Sequence, residues 1–144
     1  MTSYTADDIA RYIVNFCIEH GCPISNLQLQ KILYFCQIEY YRRTGSYLFD
    51  DDFEAWRYGP VIPAVYRLFS LFGGMKMRRP VIANKPVESA VKDIIDEVIL
   101  SRARQNPWDL VDETHRSGSP WSVTYLDGAG NGRIIEKRLL FDAR

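Results

Sequence analysis

The sequence predicts a mainly α-helical fold, a compact bundle of about five to six helices with a minor, short β-hairpin. Three observations carry this reading. Apolar residues recur at helical spacing through most of the long segments, cap and stop residues bracket those segments, and one short β-like run, Phe53 to Trp56, stands apart from them. With 144 residues, 47% of them apolar and 25% charged, the chain has the size and composition of one globular domain spanning 1–144.

Thr5 is a good N-cap and Asp8, three residues on, can complete a capping box. Ile9, Tyr12, Ile13, Phe16, Cys17 and His20 then repeat along one helix face until Gly21 supplies a stop. A second helix starts at Ser25 or Asn26, either of which can cap it. Its stripe is Leu29, Ile32, Leu33, Cys36 and Tyr40, with Lys31, Gln37 and Glu39 falling mostly elsewhere. Tyr34, Phe35, Ile38 and Tyr41 widen that stripe almost all round, so the helix is expected to be central and contacted on several sides, ending before Gly45.

The strand Phe53–Trp56 is broken by Tyr58-Gly59-Pro60, and a second short strand within Met75–Ala83 is the candidate to pair with it. A third helix begins near Pro63, carries Val65, Leu68, Phe69 and Phe72, and stops at Gly73-Gly74. A fourth runs from about Pro86 to Arg104, with Val87, Ala90, Val91, Ile94, Ile95 and Val98 inward and Lys92, Asp93, Asp96 and Glu97 toward water. Asn106-Pro107 is a cap followed by proline at the first helical position, opening a fifth helix with Trp108, Val111, Asp112 and His115. Ser117-Gly118-Ser119-Pro120 ends it. Asp127–Gly132 reads as a flexible loop and Ile134–Phe141 as a last helix.

Composition narrows the function classes. A formal net charge of zero argues against a general nucleic-acid binder, which needs excess Lys and Arg to displace counterions from phosphates. The start, Met1-Thr2-Ser3-Tyr4, lacks the charged and apolar regions of a secretory signal, and no apolar run reaches the roughly 20 residues that span a bilayer. Three cysteines without such a signal fit a reducing compartment, so a cytoplasmic location is expected. Aromatic residues make up 13% of the chain, nine of them Tyr, which suits a ring-rich core or binding surface.

The chemistry-bearing constellations are weak. Cys17, His20, Cys22 and Cys36 are four candidate metal ligands, but the paired knuckles of a structural zinc site are missing, so no metal is expected. Ser117 and Ser119 lie near His115 without a nucleophile elbow, and triads are assembled from distant segments rather than neighbours. Gly128-x-Gly130-x-Gly132 follows no strand and opens no helix, so no nucleotide cofactor is indicated. Asp50-Asp51-Asp52 reads as a solvated acidic loop, and Arg78-Arg79 with Lys85 as the one local basic cluster.

Trp56-Arg57-Tyr58-Gly59-Pro60-Val61 is different. Gly before Pro favours extended backbone and Gly reaches angles closed to other residues, so the unit reads as a rigid turn from strand into helix. Trp, Tyr and Arg are also the residue types that dominate binding hot spots, although large rings bury equally well as core. Arg57 is the residue that a purely structural role explains least, since in extended chain it projects opposite its neighbours.

The stretches ADDIARYIVNF, ISNLQLQKILYFCQ, FEAWRYGPVIPAVY and LVDETHRSGSPW, spread from Ala6 to Trp121, together resemble the Panacea domain family of SocA-like antitoxins and phage-associated GepA-like proteins. The most specific part is the Leu-x-x-Gln-Lys-x-Leu-Tyr pattern leading to Ala-Trp-x-Tyr-Gly-Pro-Val. The resemblance implies a non-enzymatic antitoxin of a bacterial or phage toxin–antitoxin pair, neutralising a cognate toxin, encoded by an adjacent gene, by direct contact. It also implies toxins of several unrelated classes, a protease adaptor role in at least one relative, and an added DNA-binding domain in some. No catalytic, metal or cofactor residue is therefore expected, and no membrane partner.

Candidate residues follow from both readings. Trp56, Arg57, Tyr58, Gly59 and Pro60, with His115 and Trp121, are either the fold signature or part of the partner surface. Because one signature serves unrelated toxins, partner choice is assigned to the exposed helix residues Tyr41, Arg42, Arg43 and Arg67. The competing functions are a protease adaptor with a second surface near Arg78-Arg79, a DNA-binding regulator, and a small hydrolase using His115. Self-association stays open.

Overall fold

A computed structural model describes residues 2–141; Met1 and residues 142–144 of the expected 1–144 domain lie outside the described residues. The fold is mainly helical with one small antiparallel sheet, as the sequence predicts. In chain order the elements are α1 (Ala6–Glu19), α2 (Asn26–Thr44), β1 (Glu54–Trp56), β2 (Gly59–Val61), α3 (Pro63–Leu68), α4 (Ser89–Ala103), α5 (Pro107–Thr114), α6 (Pro120–Tyr125) and α7 (Lys137–Phe141), with single 3-10 turns at Ser70–Phe72 and Leu126–Gly128. None of the helices is long and apolar enough to cross a membrane.

The helix starts are set by local chemistry. Thr5 Oγ1 accepts from the Asp8 amide at 3.2 Å while the Asp8 carboxylate accepts from the Thr5 amide at 2.9 Å. Ser25 and Gln28 repeat this capping box at α2. Asn26, the alternative cap, turns inward instead and donates to the Tyr66 carbonyl at 2.9 Å.

Helix α2 is the hub, packed against α1, α3, α4, α5, α7 and β2. Its enclosure corrects the expectation for its polar residues. Lys31 and Gln37 do not fall outside the buried surface; both are buried, as is Gln30, because neighbours cover the helix on its polar side too. The two glutamines act as backbone substitutes. Gln37 Oε1 accepts from the Leu48 amide at 2.8 Å and the Phe49 amide at 3.4 Å, and its Nε2 donates to the Phe49 carbonyl at 2.8 Å. Gln30 Oε1 accepts from the Ile62 amide at 3.0 Å and its Nε2 donates to Asn26 Oδ1 at 3.0 Å. Irregular chain on both sides of the hairpin is thus fastened to one helix.

The sheet differs from the expected pairing. β1 pairs antiparallel with β2, Trp56 opposite Gly59 and Ala55 opposite Pro60, leaving Arg57-Tyr58 as a two-residue turn. Met75–Ala83 forms no strand. It is irregular chain held to the connection before α2 by Met77 N–H on the Ile24 carbonyl and to α1 by a two-way bond between Asn15 and Val81. The far edge of β1 is taken by the C-terminal segment: Ala55 N–H donates to the Arg133 carbonyl, Gly132 N–H to Ala55 and Ile135 N–H to Phe53. The last helix therefore starts at Lys137, three residues later than Ile134. Within Asp127–Gly132 only Gly130 is buried, where a Cβ would lie 1.8 Å from the Thr124 carbonyl oxygen; the other five residues are exposed.

Two further expectations change. Ala90 is exposed, because α4 begins at Ser89 and its inward stripe is Val91, Ile95 and Ile99. Ser119-Pro120 not only ends the stretch after α5 but caps and opens the unanticipated α6, with Ser119 Oγ accepting from the Ser122 amide.

Replacing Gln37 by Leu keeps the volume and strands two amides and a carbonyl inside the protein. The expected loss is about 1–3 kcal/mol in denaturant-induced unfolding, and a loss-free variant would show that solvent reaches the Leu48–Phe49 backbone.

Candidate functional site

The stretches singled out by sequence converge around the hairpin. Gly59, at φ 126°, presses its backbone against α2 and α5. A methyl there would meet Thr114 Oγ1 at 3.1 Å and Lys31 Nζ at 3.2 Å. Trp121, on α6, donates from Nε1 to the Trp56 carbonyl at 2.7 Å and is only 8% exposed. The His115 imidazole stacks on the Trp121 indole at 3.7 Å and nearly coplanar, and Tyr125 stacks on the same indole at 4.6 Å.

Burial divides the signature residues into three kinds. Gly59, Pro60 and Trp121 are interior and fix the turn. Trp56 is half-buried, edge-on to Tyr66 at 5.2 Å, with its Nε1 donating to Glu54. Arg57 and Tyr58 form the exposed tip, the guanidinium 5.4 Å from the Tyr58 ring centre.

Beneath the tip lies an unusual polar group. Lys31 is 1% exposed and its ammonium has no hydrogen-bond partner among the described residues. Burial lowers its pKa from the ordinary 10.5 to about 8. His115 Nε2 is likewise buried without a partner. Burial first, and then the Lys31 charge, hold the imidazole below its usual range, with the Tyr58 backbone and the Asp112 charge acting the other way.

Two surface depressions flank Leu27, the first side chain of the Leu-x-x-Gln-Lys pattern. A groove of about 360 Å³ is lined by Leu27, Trp56, Arg57, Tyr58, Val61 and Tyr66. A narrower, mainly apolar slot of about 70 Å³ is lined by Ser25, Leu27, Gln28, Lys31, Trp108 and Val111, with Pro107 at one end. Trp108, placed by the sequence in the fifth helix, is 69% exposed at the rim. Sequence reasoning missed Leu27, Lys31 and Trp108. The available signal was a lysine inside an otherwise apolar all-round stretch and a tryptophan at the first turn of a capped helix.

The residues assigned to partner choice do not form one surface. Asn26 bonds to Tyr66, next to Arg67, whereas Tyr41 lies 15 residues further along α2, about 22 Å at 1.5 Å per residue. Tyr41 is half-buried and stacks on Phe141. Arg42 is exposed and bidentate to Glu39, Arg43 is exposed at the same helix end, and Arg67 is exposed on α3.

The other constellations resolve into structural roles. Ser119 Oγ donates to the Thr114 carbonyl and caps α6, and Ser117 is exposed. Burial pushes the Cys17 thiol up to about 12 and raises that of Cys36, so both stay protonated and unreactive at neutral pH. Among the described residues no group of three or more His, Cys, Asp or Glu side chains is placed to hold a metal ion. The Asp50–Asp52 carboxylates turn to separate partners, Thr2, the Ala6 amide and Lys137.

Residues 29–122, from α2 to α6, match the family described as "Antitoxin SocA-like, Panacea domain". The chain belongs to that family. It is also 34% identical over 129 residues to Antitoxin SocA of Caulobacter vibrioides, covering 79% of this chain and 69% of the relative. No solved structure matches. The Panacea match contains Lys31, the hairpin, Thr114, His115 and Trp121, all the residues that meet beneath the tip. Family membership carries an antitoxin-like role and, in general terms, a toxin as partner.

Gly59→Ala adds strain at a positive φ and a contact against two buried side chains. It is expected to cost about 1–3 kcal/mol of stability, whereas Gly74→Ala, with open space around it, should change stability by less than about 0.5 kcal/mol. Thermal unfolding of the two variants side by side checks this.

Proposed function

We propose that this protein is the antitoxin of a toxin–antitoxin pair and neutralises its toxin by direct protein contact. The contact face is the hairpin tip with the first turns of α2 and α5. The observation that carries this face is the pair of exposed rings astride Leu27, Tyr58 at 50% and Trp108 at 69%, each beside a depression in the surface. Rings and arginines of this kind, held on a rigid support, supply most of the energy in protein interfaces. Arg57, the residue least explained by a structural role, lines the hairpin side of that face. With Cys17, Cys22 and Cys36 all free thiols, the reading places the protein in the cytoplasm.

A second reading, delivery of the bound toxin to a protease, draws on a separate patch. Leu71, on the 3-10 turn, is 98% exposed, and Met75, at 69%, is followed by the exposed Arg78 and Arg79 on the irregular segment. An adaptor needs such a second surface.

The test is co-expression with the product of the neighbouring gene. Growth arrest caused by that product alone and relieved by this chain is the expected result, with a complex that purifies intact. Tyr58→Ala and Trp108→Ala should each weaken the complex about tenfold or more while leaving the melting temperature unchanged. A harmless neighbouring product would overturn the antitoxin reading; full affinity in both variants would overturn the face.

A further inference from the structure

Lys31 brings three donors into the interior and, unlike Gln30 and Gln37 on the same helix, finds no acceptor among the described residues. A buried ammonium in that state destabilises the free chain and attracts any anion that can reach it. Lys31 also lines the slot beside Trp108. The slot's walls are mainly apolar, so a charge entering it is stripped of water and pairs strongly. Two helix N-termini flank it, that of α2 at Ser25 and that of α5 at Pro107, and their dipoles favour negative charge there.

Size selects the anion. The volume of about 70 Å³ equals that of about two liquid waters, which admits a carboxylate and excludes a nucleotide. The lysine stem has four rotatable carbons, enough to carry the ammonium from beneath Gly59 toward an entering group. The rim is an exposed tryptophan on one side and Leu27 on the other, and Leu27 is shared with the groove at the hairpin. A chain lying in that groove can therefore drop a side chain into the slot.

We infer that the slot is a socket for a carboxylate, filled by an Asp or Glu side chain of the bound partner protein that passes between Leu27 and Trp108 and pairs with Lys31. The inference rests on the reading of this face as the partner surface and adds the chemistry that the partner must present. It assigns Lys31 to recognition: the charge left unpaired in the free chain is satisfied only in the complex.

The test titrates the isotope-labelled full chain with N-acetyl-glutamate α-methylamide, a mimic of one acidic side chain, and follows the Trp108 indole and the Leu27, Gln28 and Val111 amides by NMR. Saturable shifts with half-saturation at roughly millimolar probe are expected. They should vanish with the neutral N-acetyl-glutamine analogue and in Lys31→Met, and weaken several-fold in Trp108→Ala, whose exposed position keeps the fold intact. A flat titration, equal shifts with the neutral analogue, or unchanged binding in Lys31→Met would overturn the socket. Sodium acetate binding as tightly as the probe would overturn the protein side chain as the source, and tighter binding of inorganic phosphate would overturn the carboxylate. The antitoxin reading fails separately, in the growth assay, and leaves this titration untouched.

Discussion

Helix α2 is enclosed on nearly all sides, and every polar group it carries inward has to be satisfied there. That constraint shapes the rest of the molecule. The sheet has only two short strands, so it cannot organise the long irregular stretches between helices. Gln37 holds the chain at Leu48–Phe49, while Gln30 and Asn26 hold the approach to α3 through Ile62 and Tyr66. The side-chain amides do what a third or fourth strand would do in a β-rich fold. Lys31 is the exception to the rule on the same helix, and it lies where Gly59 of β2 and Thr114 of α5 meet.

This arrangement separates buried from exposed residues within one sequence signature. Gly59 and Pro60 are pressed into the interior, and Trp121 locks the hairpin from below through the Trp56 carbonyl. Arg57 and Tyr58, in the same run of six residues, point into solvent. A rigid turn offers its two tip residues at little entropic cost on binding.

Much of the architecture was legible because it is written in local signals. The capping box at Thr5–Asp8, the α2 start at Ser25, one of its two candidate caps, and the Asn106-Pro107 start each have a short-range cause. Helix α6 was missed although Ser119-Pro120 is the same kind of start signal, because four turn-forming residues in a row also read as a stop. The strand partner of β1 was misplaced because pairing is non-local, and Pro60 suggested a break rather than a strand lying at one edge. The site was half legible. Composition and motif picked out the hairpin and the His115–Trp121 segment, but only packing reveals that Lys31 runs beneath them. A lysine on an amphipathic helix is normally assigned to the wet face, and α2 has none at that level.

Lys31→Met against the natural chain tests most directly whether the interior holds an unpaired charge. The Lys31 pKa is lower in the folded chain than in the unfolded one, so the unfolded state binds more protons between about pH 8 and the ordinary 10.5, and the natural chain gains stability as pH rises through that window. The variant has no such group. Its unfolding free energy at pH 7 should exceed that of the natural chain by up to about 3 kcal/mol, with the advantage shrinking as pH is raised from 8 toward 10. A variant that is less stable at pH 7, with a deficit independent of pH, would show that Lys31 is already paired inside the free protein and would contradict the account.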